Sequence, residues 1–336
     1  MGEIMKNKLK FSKFEKSILD QASKRQKTIV MPEAELDSRV LDAGLYLAQH
    51  HICHVVFLGK EDAFVEKYAK GDHFETINYT KYEKEDTLAN ILYEKRKAKG
   101  MTLEQAKELV KDPVYFATLL LEVGKVDGMV CGAIMSTADT LRPALQIIKG
   151  KTKESFISSF MIMVSKDKTL GENGVFYLAD IALNQNPTAQ ELASVARDTV
   201  ISAVKLGITN PKVALLSYST LGSAKGDIPT KMQTVKELLN YVDFTVDGDY
   251  QFDSATRPEV AKIKAKTGVI KGDANIMIFP NLESGNITYK AMCRAGAIQA
   301  IGPIMQGFRL PVNDLSRGAS VSEIVVTAGV TILQCE

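Results

Sequence analysis

One stretch near the end of the chain limits the folds open to it. Ala300–Met305 is an apolar run of strand length, closed by Gly307. A short apolar run bounded by turn residues reads as a buried strand. The loop that follows crowds Asn313, Asp314, Ser316 and Arg317 together and breaks at Gly318. Ser320 and Glu323 then stand at the spacing of a capping box, and Ile324–Leu333 reads as a buried helix. A polar loop thus lies after a strand and ahead of a helix start, which in an open α/β sheet is where ligands bind. Backbone N–H groups at a helix start, with one guanidinium, suit an anion. Alone, such a unit reads more readily as a hydrogen-bonded turn carrying an exposed arginine, because strand–loop–helix units are common and serve unrelated functions.

The same alternation runs through most of the chain. Thr28–Met31, Val55–Leu58, Asp127–Cys131 and Val213–Ser217 read as strands, each leading into a polar loop and a helix. Thr102 with Gln105 and Thr188 with Glu191 are further capping boxes. After Cys131 the chain passes through Gly132 into Ser136, Thr137, Asp139, Thr140 and Arg142. Pro143 fits a first helical position, which puts Arg142 at the cap beside the positive end of that helix. Two like positive features at one spot call for an anion between them. Phe156–Ser165 and Val175–Ala179 read as adjacent strands joined by the polar turn Lys166–Asn173, a hairpin that breaks the alternation and marks a second domain. The loop Tyr218–Asp227 holds Gly222, Lys225 and Gly226 but lacks the spacing of a phosphate-binding Walker loop. At the other end, Phe11, Phe14, Ile18 and Leu19 give the Lys-rich residues 1–27, with Lys6 and Lys8 among them, one weakly apolar helical face.

Composition serves to exclude. A length of 336 residues exceeds one typical domain and suits two. A net charge of +2 gives no basic surface for nucleic acid. No apolar stretch approaches a membrane span, and residues 1–27 hold no signal-like run, so a cytoplasmic location is expected. Cys53, Cys131, Cys293 and Cys335 are scattered without CxxC spacing, which indicates neither a zinc site nor a disulfide frame. Three of them are expected as buried thiols, in keeping with a reducing compartment. His50, His51, His54 and His73 all lie far from Ser316 in sequence, and the Gly-x-Ser-x-Gly elbow of a Ser–His hydrolase is missing. His50, His51 and His54 run from a helix end into a strand, so their side chains are not expected to converge on a metal.

Several loops carry recognisable words. They are Pro32-Glu-Ala-x-x-x-Ser-Arg39, Arg96-x-x-Lys99-Gly100, Ser136-Thr-Ala-Asp-Thr-Leu-Arg142-Pro-Ala144, Ser217-Tyr-Ser-Thr220, Gln251-Phe-Asp-Ser-Ala255, Phe279-Pro-Asn-Leu-Glu-Ser-Gly-Asn286, and Gly302-Pro303 with Asn313-Asp-Leu-Ser-Arg-Gly318. In this order, over nearly the whole chain, they make it resemble the phosphate acetyltransferase (phosphotransacetylase) family in its short stand-alone form. The resemblance implies reversible acetyl transfer between acetyl phosphate and coenzyme A, giving acetyl-CoA and phosphate. It implies an α/β fold of two domains, each a mostly parallel sheet flanked by helices, with an active-site cleft between them, and a homodimer. Residues 1–149 plus 303–336 would form the first domain and 150–302 an inserted second one. Coenzyme A enters as substrate; no metal and no bound prosthetic group belongs to the chemistry.

Acetyl phosphate brings a phosphate dianion and a carbonyl that becomes an oxyanion as the thiol attacks. Arg142 and Arg317 can bind these charges with directed N–H donors. Ser136 and Thr137 add neutral donors, and the family likeness brings in Thr140, Asn286 and Gly318 as substrate positions. Arg39 and Arg96 match positive positions near the substrate; each also reads as a solvated helix arginine. The family base is an aspartate seven residues after the loop serine, where this chain has Glu323. Glu323 is thus a candidate base for the coenzyme A thiol, or only the closing member of the Ser320 capping box. Ser316 lacks a histidine partner and reads as a hydrogen-bond donor, not a nucleophile. Cys131 and Cys293 lack an adjacent base and read as packing. Phosphate propionyl- or butyryltransfer is an alternative, since a methylene is discriminated by only about 1–3 kcal/mol. A non-catalytic anion- or CoA-binding protein is another. An isocitrate-type dehydrogenase would need a carboxylate metal cluster that these loops lack.

Overall fold

The computed structural model describes residues 9–152, 155–296 and 298–336. Lys6 and Lys8, part of the Lys-rich entry segment, lie outside them. Twelve strands follow one another among the described residues: β1 (Thr28–Met31), β2 (His54–Gly59), β3 (Lys70–Gly71), β4 (Phe74–Asn78), β5 (Gly128–Cys131), β6 (Ser158–Val164), β7 (Val175–Ala179), β8 (Lys212–Leu216), β9 (Thr245–Tyr250), β10 (Ile276–Ile278), β11 (Gln299–Gln306) and β12 (Val312–Asp314). They form two six-stranded sheets in two compact units, Met1–Lys153 with Phe308–Glu336, and Glu154–Gly307.

The first unit's sheet runs β12-β5-β1-β2-β4-β3. Every pairing in it is parallel except the short edge strand β3. Parallel strands are covered by helices on both faces, so they carry unbroken apolar runs. Accordingly every residue of β5 and β12 is buried. The core joins Ile29, Met31, Val55, Phe57 and Val130 of the sheet to Val40, Leu47, Ile324, Val325 and Ile332 of the helices Ser38–Gln49 and Val321–Gln334. The entry segment forms the helix Lys13–Ala22, opened by a Ser12–Glu15 capping box, with Ile18 and Leu19 buried. Asp112 caps the apolar helix Pro113–Glu122.

The second unit's sheet runs β11-β6-β7-β10-β8-β9. The β6–β7 hairpin is antiparallel, with Phe160 opposite Ala179, and β7, β10, β8 and β9 are parallel. Met161, Met163, Phe176, Leu178, Tyr250 and Met277 form its core. The long helix Ala189–Lys205 starts at the Thr188–Glu191 capping box.

The apolar run Ala300–Met305 is a strand, but a different one from that expected. As part of β11 it pairs antiparallel with β6, Ile301 opposite Ile162, in the second sheet. The first unit resumes only at Phe308, not at 303. The strand that feeds the Ser316 loop is β12, three residues long, paired with β5 as Asn313 to Val130. Its residues Val-Asn-Asp look like loop because two are polar, yet both are buried and bonded: Asn313 donates to Thr331 Oγ1 at 2.8 Å. No helix among the described residues is long and apolar enough to cross a membrane.

Candidate active site

β12, β5 and β1 are adjacent and parallel, so their carboxyl ends leave the same sheet edge. Two residues beyond β1 stands Glu33, fully buried. Its Oε2 accepts the N–H groups of Gly132 and Ala133, both at 2.8 Å, and its Oε1 that of Ile134 at 3.2 Å. One carboxylate thus satisfies three consecutive backbone donors of the loop after β5. A buried charge is stable only with such partners. Sequence reading passed over Glu33, although its place two residues past a strand, in the Pro32-Glu word, was visible.

Arg39 lies in the first turn of the helix Ser38–Gln49, whose start is capped by Asp37. Its guanidinium spends all five N–H groups within the protein. Nε and Nη2 bind Asp37, the latter at 2.6 Å; Nη1 donates to Arg317 O at 2.9 Å and Ala319 O at 2.8 Å; Nη2 also reaches Ala133 O at 3.1 Å. The guanidinium beside Asp37 holds that carboxyl below its usual range. Arg39 is therefore a brace that pins the loop after β12 to the loop after β5, and the solvated-arginine reading does not describe it. Lysine has neither the fork nor the reach for these acceptors. Arg39→Lys is expected to cost roughly 2–3 kcal/mol, the size of charged hydrogen bonds lost. Thermal melting beside steady-state kinetics would check this, and an unchanged melting temperature would refute the brace.

The third loop runs into the helix Thr137–Ile147, capped by Ser136, which accepts Asp139 N–H at 3.2 Å. The helix starts a turn and a half before Pro143, which lies inside it. Sequence reading took proline as the first helical residue; the Ser136 cap wins because it satisfies an orphan donor earlier in the chain. Arg142 consequently does not stand at a helix start. It sits in the second turn and pairs with Asp139 at 3.1 Å, both side chains about half exposed. The proposed clash of two positive features disappears, while the arginine stays accessible. Ser136 also donates to Asp139, at 2.7 Å. Burial raises the phenol of Tyr115 in the helix Pro113–Glu122, and the positive charges of Arg142 and Arg96 act to lower it. The Tyr115 hydroxyl donates to Gln146 Oε1 at 3.0 Å. The buried Nε of Arg96 has no hydrogen bond among the described residues.

At the end of β12, Asp314 is 2% exposed. Thr137 donates to its Oδ2 at 2.6 Å. Thr140, expected as a substrate donor, is fully buried, and its hydroxyl finds no hydrogen-bond partner among the described residues. Ser316, Arg317 and Gly318 follow and are exposed. Ser316 Oγ accepts Gly318 N–H at 3.3 Å, and the Arg317 guanidinium makes no hydrogen bond among the described residues. Ser320 opens the helix Val321–Gln334: its Oγ accepts Glu323 N–H at 3.3 Å, while Glu323 Oε2 accepts Ser320 N–H at 2.7 Å and Oγ–H at 2.8 Å. Glu323 is a working cap. The cap uses one carboxylate oxygen only, and Oε1 accepts no hydrogen bond among the described residues.

Asn286 belongs to the second unit, in the helix Leu282–Ala295, where it donates to Ile181 O at 3.0 Å. That unit has a cavity of about 810 Å³ where the helices starting after Thr188, Gly226 and Asn281 meet. Lys231 lines it, but its three N–H groups go to Asn186, Pro187 O and Pro280 O, so it ties loops together. Cys131 is fully buried, and burial pushes its thiol far up, away from nucleophilic use. Of the histidines, His50 stacks on Tyr46, whereas His51 meets the ring of His73, with Asp72 beside them.

The chain is similar to known proteins along nearly its whole length. A model of the family described as phosphate acetyl/butaryl transferase matches residues 13–332. A phosphate acetyltransferase from Clostridium acetobutylicum is 41% identical over 330 residues, covering 95% of this chain and 98% of that one. One from Acetivibrio thermocellus is 42% identical over 330 residues, covering 96% and 98%. The solved phosphotransacetylase from Streptococcus pyogenes superposes with a TM-score of 0.87 at 39% identity, covering 97% of this chain and 99% of that one. With a family model spanning nearly all of it and relatives of this identity along their full length, the chain belongs to the phosphate acetyl/butaryl transferase family.

Proposed function

We propose that this acyltransferase moves an acetyl group reversibly between acetyl phosphate and coenzyme A, by direct attack of the thiolate in a ternary complex. The observation that carries the reading is the exposed Ser316–Arg317 pair, held by Arg39 at the edge where three parallel strands end. As sulfur attacks the acetyl carbon, an S–C bond forms and the C–O bond to phosphate breaks. Phosphate leaves with the electron pair. Arg317 and Arg142 offset the charge on the phosphate and the developing oxyanion, and Ser316 donates a hydrogen bond. Glu323 Oε1 takes the thiol proton. A thiol titrates at about 8.5, so most of it arrives protonated at neutral pH and a nearby base raises the rate. Coenzyme A is a substrate here, and the roles need no prosthetic group. A homodimer in the cytoplasm is the assembly and location that go with this reading; light scattering on the purified chain would check the first.

The test is thioester absorbance with acetyl, propionyl and butyryl phosphate plus coenzyme A. Acetyl phosphate is expected to give the highest kcat/KM; preference for butyryl phosphate would move the chain to the other activity named in its family. Arg142→Ala should raise the KM for acetyl phosphate about 10- to 150-fold, the equivalent of roughly 1.5–3 kcal/mol for a charged hydrogen bond. An unchanged KM in the folded variant would remove Arg142 from the site.

A further inference from the structure

Asp314 is a buried carboxylate at the end of β12, two residues before Ser316 and three before Arg317. One oxygen is held by Thr137. The other, Oδ1, is buried and lacks a hydrogen bond among the described residues, as does Thr140 Oγ1. Oδ1 lies so close to Gly132 that a Cβ there would come within 2.1 Å of it, and Gly132 itself has φ +105, a conformation that favours glycine. Backbone and carboxylate have been brought together where any side chain would keep them apart. The charged groups that act on Asp314 are Glu33 after β1 and Arg317 of its own loop, and the neutral thiol of Cys131 lies at the end of β5. A core position would be filled more stably by an uncharged residue.

We propose that Asp314 is a positioning residue: ionised, it attracts Arg317 and accepts from Thr137, fixing the Ser316–Arg317 loop against the helix that carries Arg142. The inference rests on the acetyl-transfer reading for its kinetic part only. Burial, first among the causes, raises the carboxyl to about 6, with Glu33 adding to it and Thr137 and Arg317 acting the other way. The native state therefore binds more protons than the unfolded chain between the ordinary value of 3.8 and about 6. Stability from this group is greatest below that window and falls as pH rises through it. Above it, the charge is kept at the expense of stability, which is the pattern of a site residue and not of a packing residue.

The experiment compares Asp314→Asn and Thr137→Val with the wild type, following melting temperature and kcat/KM from pH 4.5 to 8. Asp314→Asn is expected to lose at least tenfold in kcat/KM at pH 7.5 without a lower melting temperature there. Its advantage in melting temperature over the wild type should shrink toward pH 4.5. Thr137→Val removes a hydrogen bond that favours the charged form, so its acid limb of kcat/KM should move to higher pH. Full activity of Asp314→Asn at pH 7.5 would overturn the proposal. If that variant does not fold, an acid limb unmoved in Thr137→Val would do so equally. The melting curves need no turnover, so a wild type inactive on acetyl phosphate would sink the functional reading while its pH-dependent melting still tests the buried charge.

Discussion

Glu323→Gln is expected to lower kcat by about 10²–10⁴, the usual size of a lost general base, at nearly unchanged stability. The separation is available because the cap uses one carboxylate oxygen and the proposed base role would use the other. Oε2 closes the capping box with Ser320 N–H and Oγ. Glutamine closes such a box as well, since its carbonyl oxygen accepts the same N–H. What it cannot do is take a proton from a thiol. Part of the loss should return as pH approaches the thiol's own value of about 8.5, because more coenzyme A then arrives as thiolate. Ser320→Ala supplies the converse: a cap loss of about 1 kcal/mol in melting, with chemistry largely intact. A folded Gln variant with full activity at neutral pH would leave Glu323 as a cap only. The thiol proton would then have to leave through water or Ser316.

The second large effect is expected at Glu33, and it is one of stability. Glu33→Ala leaves the N–H groups of Gly132, Ala133 and Ile134 without their acceptor. Two of those residues, Gly132 and Ala133, are themselves buried. Stranding one buried donor costs roughly 1–3 kcal/mol, and three at once should cost about 3–5 kcal/mol after some relaxation. That is roughly 10 °C in melting temperature for a unit of this size. Hydrogen exchange gives the local check: the three amides should be protected in the wild type and exchange freely in the variant. Glu33→Gln, which keeps one accepting oxygen, should lose less. Activity should fall with the amide protection, because the same loop leads into Ser136 and Thr137. An Ala variant as stable as the wild type would mean that water or a backbone shift replaces the carboxylate.

Both units show why some of this could be read in advance and some could not. Ser12–Glu15, Thr102–Gln105, Thr188–Glu191 and Ser320–Glu323 all form the capping boxes that their spacing announces. A cap joins residues three apart, so its partners are written next to each other. The apolar strands β1, β2, β5, β7 and β8 were legible for a related reason: burial on both faces demands an unbroken apolar run. The start of the helix at Thr137 was misread because two local signals competed, a serine cap and a proline, and only the backbone shows which one opens the helix.

Local sequence thus determined which segments are strands and helices, and it placed the hydroxyl and arginine residues in loops next to them. The family words lie in those same loops, at Ser136–Ala144 and Asn313–Gly318. Tertiary structure decided what those loops are fastened to. β12 reads as loop until its pairing with β5 buries Asn313 and Asp314. β11 reads as the strand before the site until it pairs with β6 in the other sheet. Glu33 and Arg39 look like surface charges in the chain, yet they reach backbone atoms about a hundred and nearly three hundred residues away. Such contacts have no sequence signature, because the acceptor or donor is a backbone group that every residue possesses and only the adjacent ends of parallel strands bring it within hydrogen-bond range.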